Sequence, residues 1–223
     1  VASSSRQVTG GVLPPFTNFT PAHIHSTTTG AYADFLAGTS NADIITNVSV
    51  SGTIASASAY VGGLIGITNG SVITRAEASV VIVIPSAAYV GGLIGIASDG
   101  TQITRSSSAG MVTADSYMGG FIGISEEGST VSNSYSTAVV SGDSYVGGLI
   151  GVSESENENL YAAGGVTATG FFGGGLIGAD GPFADTLNSY WDTDTAIVLV
   201  SAAGTGKTTV EMQNVDTFSG WNF

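Results

Sequence analysis

The sequence predicts an all-β fold, a β-solenoid of about six coils of about 28 residues each. The first observation behind this prediction is repetition, because YVGGLIG occurs at 60–66, 89–95 and 145–151. The second is the period: Tyr60, Tyr89, Tyr117 and Tyr145 lie 29, 28 and 28 residues apart. The third is composition, since only 9% of the residues are charged. Long helices with solvated charged faces are hard to build from such a chain.

The repeats also predict the domain boundaries. The tyrosine column extends forward by 27 residues to Phe172 and back by 28 residues to Tyr32. We therefore assign 32–195 to the repeats, 1–31 to an N-terminal extended arm or cap, and 196–223 to a C-terminal cap. Three short strands and their corners fit into about 28 residues as one solenoid coil, whereas a four-stranded propeller blade needs about 40.

The repeated word YVGGLIGI determines which residues we expect inside. In an extended strand, successive side chains point to opposite faces, so we assign Ile65 and its equivalents to the interior. The opposite face becomes an outer wall, which consists of Leu64, Leu93, Phe121, Leu149 and Leu176 with Gly62, Gly91, Gly119 and Gly147. A strand that is apolar on both faces is usually covered on both. The glycines either admit a covering element or only relieve crowding inside the coil, and the pattern leaves both open.

An apolar segment before the repeats is one candidate to cover this wall. It is GGVLPPFTNF at 10–19, with Val12, Leu13, Phe16 and Phe19 as its large apolar residues. About nine extended residues span the roughly 30 Å height that six coils would have. The other candidate is a neighbouring copy of the chain, which would make the wall an assembly surface.

The C-terminal cap carries a helix signal. Thr208 is followed three residues later by Glu211 in TTVEMQN, which is the spacing of a capping box. We therefore expect at most one short helix there. Phe218, Trp221 and Phe223 follow, and we expect them to plug the last coil.

Charge and hydropathy exclude several partners. The chain has 17 acidic and four basic residues and a net charge of −13, which disfavours nucleic acid because phosphate backbones require basic patches. It has no run of 18 apolar residues, so we expect no membrane-spanning helix. It has no cysteine and hence no disulfide framework or thiolate metal site, which is compatible with export.

The sequence offers no convincing catalytic constellation. Asp192 and Asp194 in WDTDT are weak candidates for a calcium site or for the carboxylate pair of a glycosidase. The surrounding sequence matches no calcium-binding loop, and we expect solvated acidic loops instead. We therefore predict no catalytic residue, no cofactor and no enzyme activity.

The stretch VSNSYSTAVVSGDSYVGGLIG at 131–151 resembles the consensus of the GLUG-motif repeat family. The tail, NSYWDTDT followed by GTGKTTVEMQ and TFSGWNF, is similar to the segment that commonly closes such arrays. The resemblance covers about 32–223 and implies a β-helical array of the kind found in large secreted or surface proteins of bacteria and archaea, including adhesin-like proteins. It implies no catalytic residues. Two copies, YADFLAG at 32–38 and FGGGLIG at 172–178, depart from the consensus.

Together these observations predict a non-catalytic structural protein that is secreted or displayed on the cell surface. We expect a stiff rod that self-associates into a fibre or layer through the outer wall and the N-terminal arm. The alternative is an adhesin module that binds a glycan or a host protein as an isolated rod. A filament would distinguish the first hypothesis, and glycan binding without a polymer the second.

Overall fold

The structure is a computed structural model that describes residues 36–55 and 59–221, together with the backbone of three short strands nearer the N-terminus. The strands in chain order begin with β1 (Phe16–Thr17), β2 (Ala22–His23), β3 (Tyr32–Ala33), β4 (Ala37–Asn41), β5 (Ile44–Ile54), β6 (Tyr60–Gly62), β7 (Ile65–Asn69), β8 (Val72–Val83), β9 (Tyr89–Gly91) and β10 (Ile94–Ser98). They continue with β11 (Gln102–Thr104), β12 (Ser107–Thr113), β13 (Ser116–Gly119), β14 (Ile122–Ser125), β15 (Thr130–Ser136), β16 (Val139–Gly142), β17 (Ser144–Gly147) and β18 (Ile150–Ser153). The last are β19 (Glu156–Ala162), β20 (Val166–Ala168), β21 (Gly173–Gly174), β22 (Ile177–Asp180), β23 (Asp185–Leu187), β24 (Tyr190–Asp192) and β25 (Thr205–Lys207). One α-helix, α1 (Thr209–Met212), and one 3-10 helix (Val215–Phe218) follow.

The strands form three parallel sheets, and the chain visits each sheet once per coil. The tyrosine sheet contains β3, β6, β9, β13, β17 and β21, and the isoleucine sheet contains β4, β7, β10, β14, β18 and β22. The long sheet has 13 strands and includes β5, β8, β12, β15 and β19. Equivalent residues pair in register, for example Tyr60 with Tyr89 and Ile65 with Ile94. The predicted β-solenoid is confirmed, with six stacked rungs joined by five complete turns.

The repeated word YVGGLIGI is a corner between two sheets and not one straight strand. The tyrosine strand ends at Gly62 and the isoleucine strand begins at Ile65. At the corner, the N–H groups of Leu64 and Ile65 both donate to the carbonyl of Leu93 on the next rung, at 2.8 and 3.2 Å. Successive N–H groups of a straight strand point to opposite sides, so this geometry requires a bend. The next three rungs repeat it, with the carbonyls of Phe121, Leu149 and Leu176 as acceptors.

The bend overturns the predicted outer wall. Leu64, Leu93, Phe121, Leu149 and Leu176 are each 0% exposed and belong to the same core as the isoleucine column. The alternation rule fails because it assumes an extended chain through the two residues where the chain turns. Adjacent residues, such as Leu64 and Ile65, are therefore both inside. The assignment of these five side chains to an outer wall is wrong.

The wall glycines are also accounted for within the chain. A Cβ on Gly62, Gly91, Gly119 or Gly147 would overlap the carbonyl three residues later on the same coil. A Cβ on Gly95, Gly123 or Gly178 would press against the backbone of the tyrosine sheet. The tyrosine and isoleucine sheets thus approach each other at backbone distance, which only glycine allows. Of the two explanations left open above, crowding inside the coil is the one the structure supports.

The long sheet bends once per rung at a residue with positive φ. These residues are Asn47, Arg75, Arg105, Asn133, Asn159 and Asn188, with φ between 48° and 56°. The left-handed region costs least for Asn among non-glycine residues, and four of the six are Asn. Beside the bend, a serine hydroxyl accepts the backbone N–H of the preceding rung, as Ser106 does for Ala76 at 3.0 Å.

One interior column shows how the core ends. Val50, Ala78, Ser108, Ser136 and Ala162 pair in register along the long sheet, and the column finishes at Trp191. Trp191 is 5% exposed, and its ring lies where a Cβ on Gly175 would be. The large ring therefore fills the last position of a column whose earlier positions hold smaller side chains. Trp191 is the residue that plugs the last coil.

The structure bears on two predictions about the C-terminal segment, the capping box and the aromatic plug. The capping box is present, since Thr208 accepts from the N–H of Glu211, whose carboxylate accepts from the N–H of Thr208. Phe218 and Trp221 do not plug the coil, because they pack against Tyr161 and Tyr190 of the long sheet. Phe223 lies outside the described residues.

Two short pieces of the predicted N-terminal arm add to the first rung of the same chain. The backbone of β1 pairs with β5 at Ile45, and that of β2 pairs with β5 at Val50. Phe16 lies in β1, and its side chain is outside the described part. Val12, Leu13 and Phe19 also lie outside the described residues.

Truncation of a buried corner leucine tests its interior position. We expect Leu149→Ala to lower the free energy of unfolding by about 2–5 kcal/mol, because the change removes packed core atoms and leaves a cavity. The matched control is Val139→Ala, since Val139 is exposed on the long sheet, and its cost should stay below about 1 kcal/mol. Urea unfolding monitored by circular dichroism measures both. If the two variants lost the same free energy of unfolding, Leu149 would not be buried as described.

A second substitution tests the close approach of the two sheets. Gly147→Ala places a methyl group on the carbonyl of Ile150, so we expect a loss of more than about 3 kcal/mol or failure to fold. Gly165→Ala is the control, because its nearest neighbours would lie at 3.6 and 3.7 Å, an ordinary contact distance. A Gly147→Ala protein as stable as the control would show that the sheets can separate.

Candidate functional site

The last rung is closed by a segment that imitates the next coil. The carbonyl of Val200 accepts the N–H of Gly175 at 2.9 Å, and the N–H of Ala202 donates to the carbonyl of Ile177 at 2.9 Å. The hydroxyl of Ser201 accepts the N–H groups of Leu176 and Ile177 at 3.1 and 3.0 Å. A serine side chain thus takes the place of the backbone carbonyl, of a leucine or of Phe121, that accepts both N–H groups in the earlier rungs. Backbone donors that would otherwise be orphaned at the rod's end are satisfied.

The same segment exposes large apolar side chains. Leu199 is 86% exposed and Ile197 is 73% exposed. The adjoining Phe171 is 77% exposed, and Phe172 and Val200 line one shallow cavity of about 430 Å³. We call these five residues the end patch. Phe171 precedes Phe172 and Leu199 precedes Val200 in the chain, and a concentration of exposed apolar side chains of this kind marks an interaction surface.

The two sequence segments that contain the end patch are also uncharged. The segments 160–179 and 195–206, which contain all five residues, include no Asp, Glu, Lys or Arg. The chain as a whole carries a net charge of −13. The C-terminal end therefore combines large exposed apolar side chains with uncharged sequence, and among the described residues Asp180 is the one charged residue that lines the cavity beside Phe172 and Val200. This end is the candidate functional site.

Asp192 and Asp194 anchor α1, the short helix within the C-terminal segment. Both carboxylate oxygens of Asp192 accept from the hydroxyl of Thr209, at 3.0 and 2.8 Å, and one also accepts from the N–H of Asp194 at 2.9 Å. The carboxylate of Asp194 accepts the N–H of Thr209 at 2.9 Å. Carboxylates near a helix N-terminus are stabilising, so this pair has a structural role. No group of three or more His, Cys, Asp or Glu side chains suited to a metal ion occurs in the described residues.

A groove on the side of the rod carries an acidic column. Asp99, Glu126 and Glu154 directly follow the isoleucine strands β10, β14 and β18 and line a cavity of about 440 Å³ with Tyr117. Tyr117 belongs to a continuous aromatic stack from Tyr60 through Tyr89 and Tyr145 to Phe172, with ring centroids 4.6–5.2 Å apart. Partial burial, then the charges of Asp99 and Glu154, raise the pKa of Glu126. Like charges on neighbouring rungs therefore destabilise this face.

Removal of one of these charges should stabilise the rod in a pH-dependent way. Because the pKa of Glu126 is raised in the folded state, the protonated side chain favours folding, and this contribution is lost as the pH rises above about 4. We expect Glu126→Gln to raise the melting temperature at pH 7 and to give no gain at pH 3. The gain should stay below about 1 kcal/mol because the largely exposed side chain is screened by water.

Differential scanning calorimetry at both pH values measures this effect. The control is Glu127→Gln, which removes the neighbouring exposed charge. The interpretation fails if Glu126→Gln lowers the melting temperature at pH 7 or shifts it equally at both pH values.

Sequence reasoning predicted the capping box of α1 but missed the end patch and Ser201. A usable signal was present, since AIVLVSAAG at 196–204 is apolar and uncharged yet lies outside the repeat. No helix among the described residues is long and apolar enough to span a membrane.

Comparisons of the chain with family models, with curated proteins and with solved structures gave no match. The resemblance to GLUG-motif repeats therefore stays a prediction that rests on the residues quoted for it.

Proposed function

We propose that the protein is an exported, non-catalytic structural rod whose copies join end to end into a fibre at the cell surface. The observation that carries the proposal is the end patch, where Phe171, Ile197 and Leu199 are all more than 70% exposed. Isolated monomers rarely leave such a contiguous group in water. This proposal moves the self-association expected from the sequence from the Leu and Gly columns to the C-terminal end.

Charge favours a second copy as the occupant of this patch. A chain of net charge −13 repels its own copies wherever acidic faces meet, and the side of the rod carries the acidic column of Asp99, Glu126 and Glu154. The end patch lies within uncharged sequence. Copies can therefore approach at the ends with less repulsion than along the sides.

Strand direction favours head-to-tail joining. All strand pairs in the three sheets are parallel, so the two ends of the rod differ and a head-to-tail contact joins unlike ends. Because the segment around Ser201 already pairs the backbone of the last rung, this contact is made by side chains of the end patch. In the described part of the chain, β3 and β4 each pair with a single strand, β6 and β7. Such a heterologous contact leads to open polymers, whereas a two-fold contact would stop at a dimer.

The proposal predicts concentration-dependent assembly that depends on the end patch. We expect the full chain to sediment as growing species between about 1 and 300 μM, and added salt to strengthen the association by screening repulsion. The double variant Ile197→Ser with Leu199→Ser should remain monomeric, because it removes the apolar contact area. Sedimentation velocity measures size, and electron microscopy distinguishes filaments from dimers.

The matched control is Met111→Ser with Val139→Ser, which removes two exposed apolar side chains from the side of the rod. It should assemble like the unchanged chain. A chain that stays monomeric throughout, or an end-patch variant that assembles normally, contradicts the proposal. An isolated rod that binds a glycan or a host protein would instead support the adhesin alternative.

A further inference from the structure

A cavity of about 300 Å³ lies where the C-terminal tail folds over the outer face of the long sheet. It is lined by Tyr161, Ala163, Asp192, Thr209, Met212, Gln213 and Phe218. Neither the packing of the solenoid core nor the contacts of the end patch explain why this cavity is present. This volume lies at the lower end of the range for small-molecule sites, so it suits a small ligand or one end group of a larger one.

Aromatic rings hold the walls of this cavity in place. The rings of Tyr161 and Phe218 are tilted by 59° with centroids 6.1 Å apart. Tyr135 stacks on the other side of Tyr161 at 4.8 Å with parallel planes, and Trp221 packs edge-on against Phe218 at 5.0 Å. The indole N–H of Trp221 donates to the carbonyl of Asn188 at 3.1 Å. The two wall rings are therefore positioned before any ligand arrives.

Among the described residues that line the cavity, Asp192 is the one that carries a charge. It is 3% exposed, and its carboxylate accepts hydrogen bonds from the hydroxyl of Thr209 and the N–H of Asp194. The single ion pair among the described residues joins Lys207 to Glu211. The buried carboxylate thus has neutral hydrogen-bond donors but no cation in contact, although buried charges are normally paired.

We propose that this cavity binds a small organic cation, an amine or quaternary ammonium group, in contact with the rings of Tyr161 and Phe218 that line it and beside the carboxylate of Asp192. Aromatic faces attract cations through their quadrupole. The nearby carboxylate supplies the counter-charge, and the net charge of −13 attracts cations to the chain.

The ionisation of Tyr161 is consistent with this role. Burial, then the neighbouring Tyr135, raises the pKa of Tyr161 to about 12. The phenol is neutral at physiological pH with or without this shift, so the raised pKa indicates only that its hydroxyl is partly buried. A neutral sugar is the less favoured ligand, because the hydroxyl of Thr209 is already donated to Asp192 and few donors remain to converge on sugar hydroxyls.

The test uses choline and 3,3-dimethyl-1-butanol, which has the same shape without the charge. We titrate each into the full chain at low ionic strength, with sodium chloride as the ionic control, and follow tryptophan fluorescence, since Trp221 contacts Phe218. We expect saturable choline binding and at least about tenfold weaker binding of the neutral alcohol. The variant Phe218→Leu should weaken choline binding severalfold, and Asp192→Asn should abolish the preference for the charged ligand.

Because Asp192 also anchors α1, its variant is interpreted only if circular dichroism matches that of the unchanged chain; Phe218→Leu decides otherwise. Equal binding of choline and the alcohol, no saturation with choline, or saturation by methyl glucoside instead would overturn the proposal. The end-patch variants should bind choline normally, which keeps this result separate from the self-association experiment.

Discussion

The rod depends on one repeated hydrogen-bond arrangement, the leucine carbonyl that accepts two successive N–H groups from the rung before it. This bond pair carries the ladder around the corner, where a bent chain would otherwise leave buried donors unpaired. It works only because the neighbouring glycines let two sheets meet at backbone distance. Leucine and glycine therefore act together: the glycines permit the bend, and the leucine side chains fill the space inside it.

The period was sufficient to predict the solenoid, because a repeat of about 28 residues leaves few other ways to bury its apolar residues. The face of each side chain was harder to predict. Strand alternation applies between corners, but Leu64 and Ile65 sit at a corner, and no local signal shows that their N–H groups share one acceptor. Asn133 and its equivalents did carry a signal for the bend of the long sheet, since Asn tolerates positive φ.

The ends were predictable only where the signal was local. Thr208 and Glu211 cap α1 as their spacing indicates. The roles of Trp191 and Ser201 could not be predicted, because both depend on the assembled rung. Trp191 fills an interior space, and Ser201 accepts hydrogen bonds in place of a carbonyl. The cavity beside Asp192 likewise arises from residues that are far apart in sequence and meet when the tail returns to the long sheet.

The corner column also makes the two ends of the rod chemically unequal. At each leucine position the N–H points toward the C-terminal end and the carbonyl toward the N-terminal end, from Leu36 to Leu176. Peptide dipoles along this edge are therefore aligned, as in an α-helix, whereas those within a sheet largely cancel. This column therefore gives the axis of the rod a chemical direction even though its rungs look alike, and at the C-terminal end its last two N–H groups are taken up by Ser201.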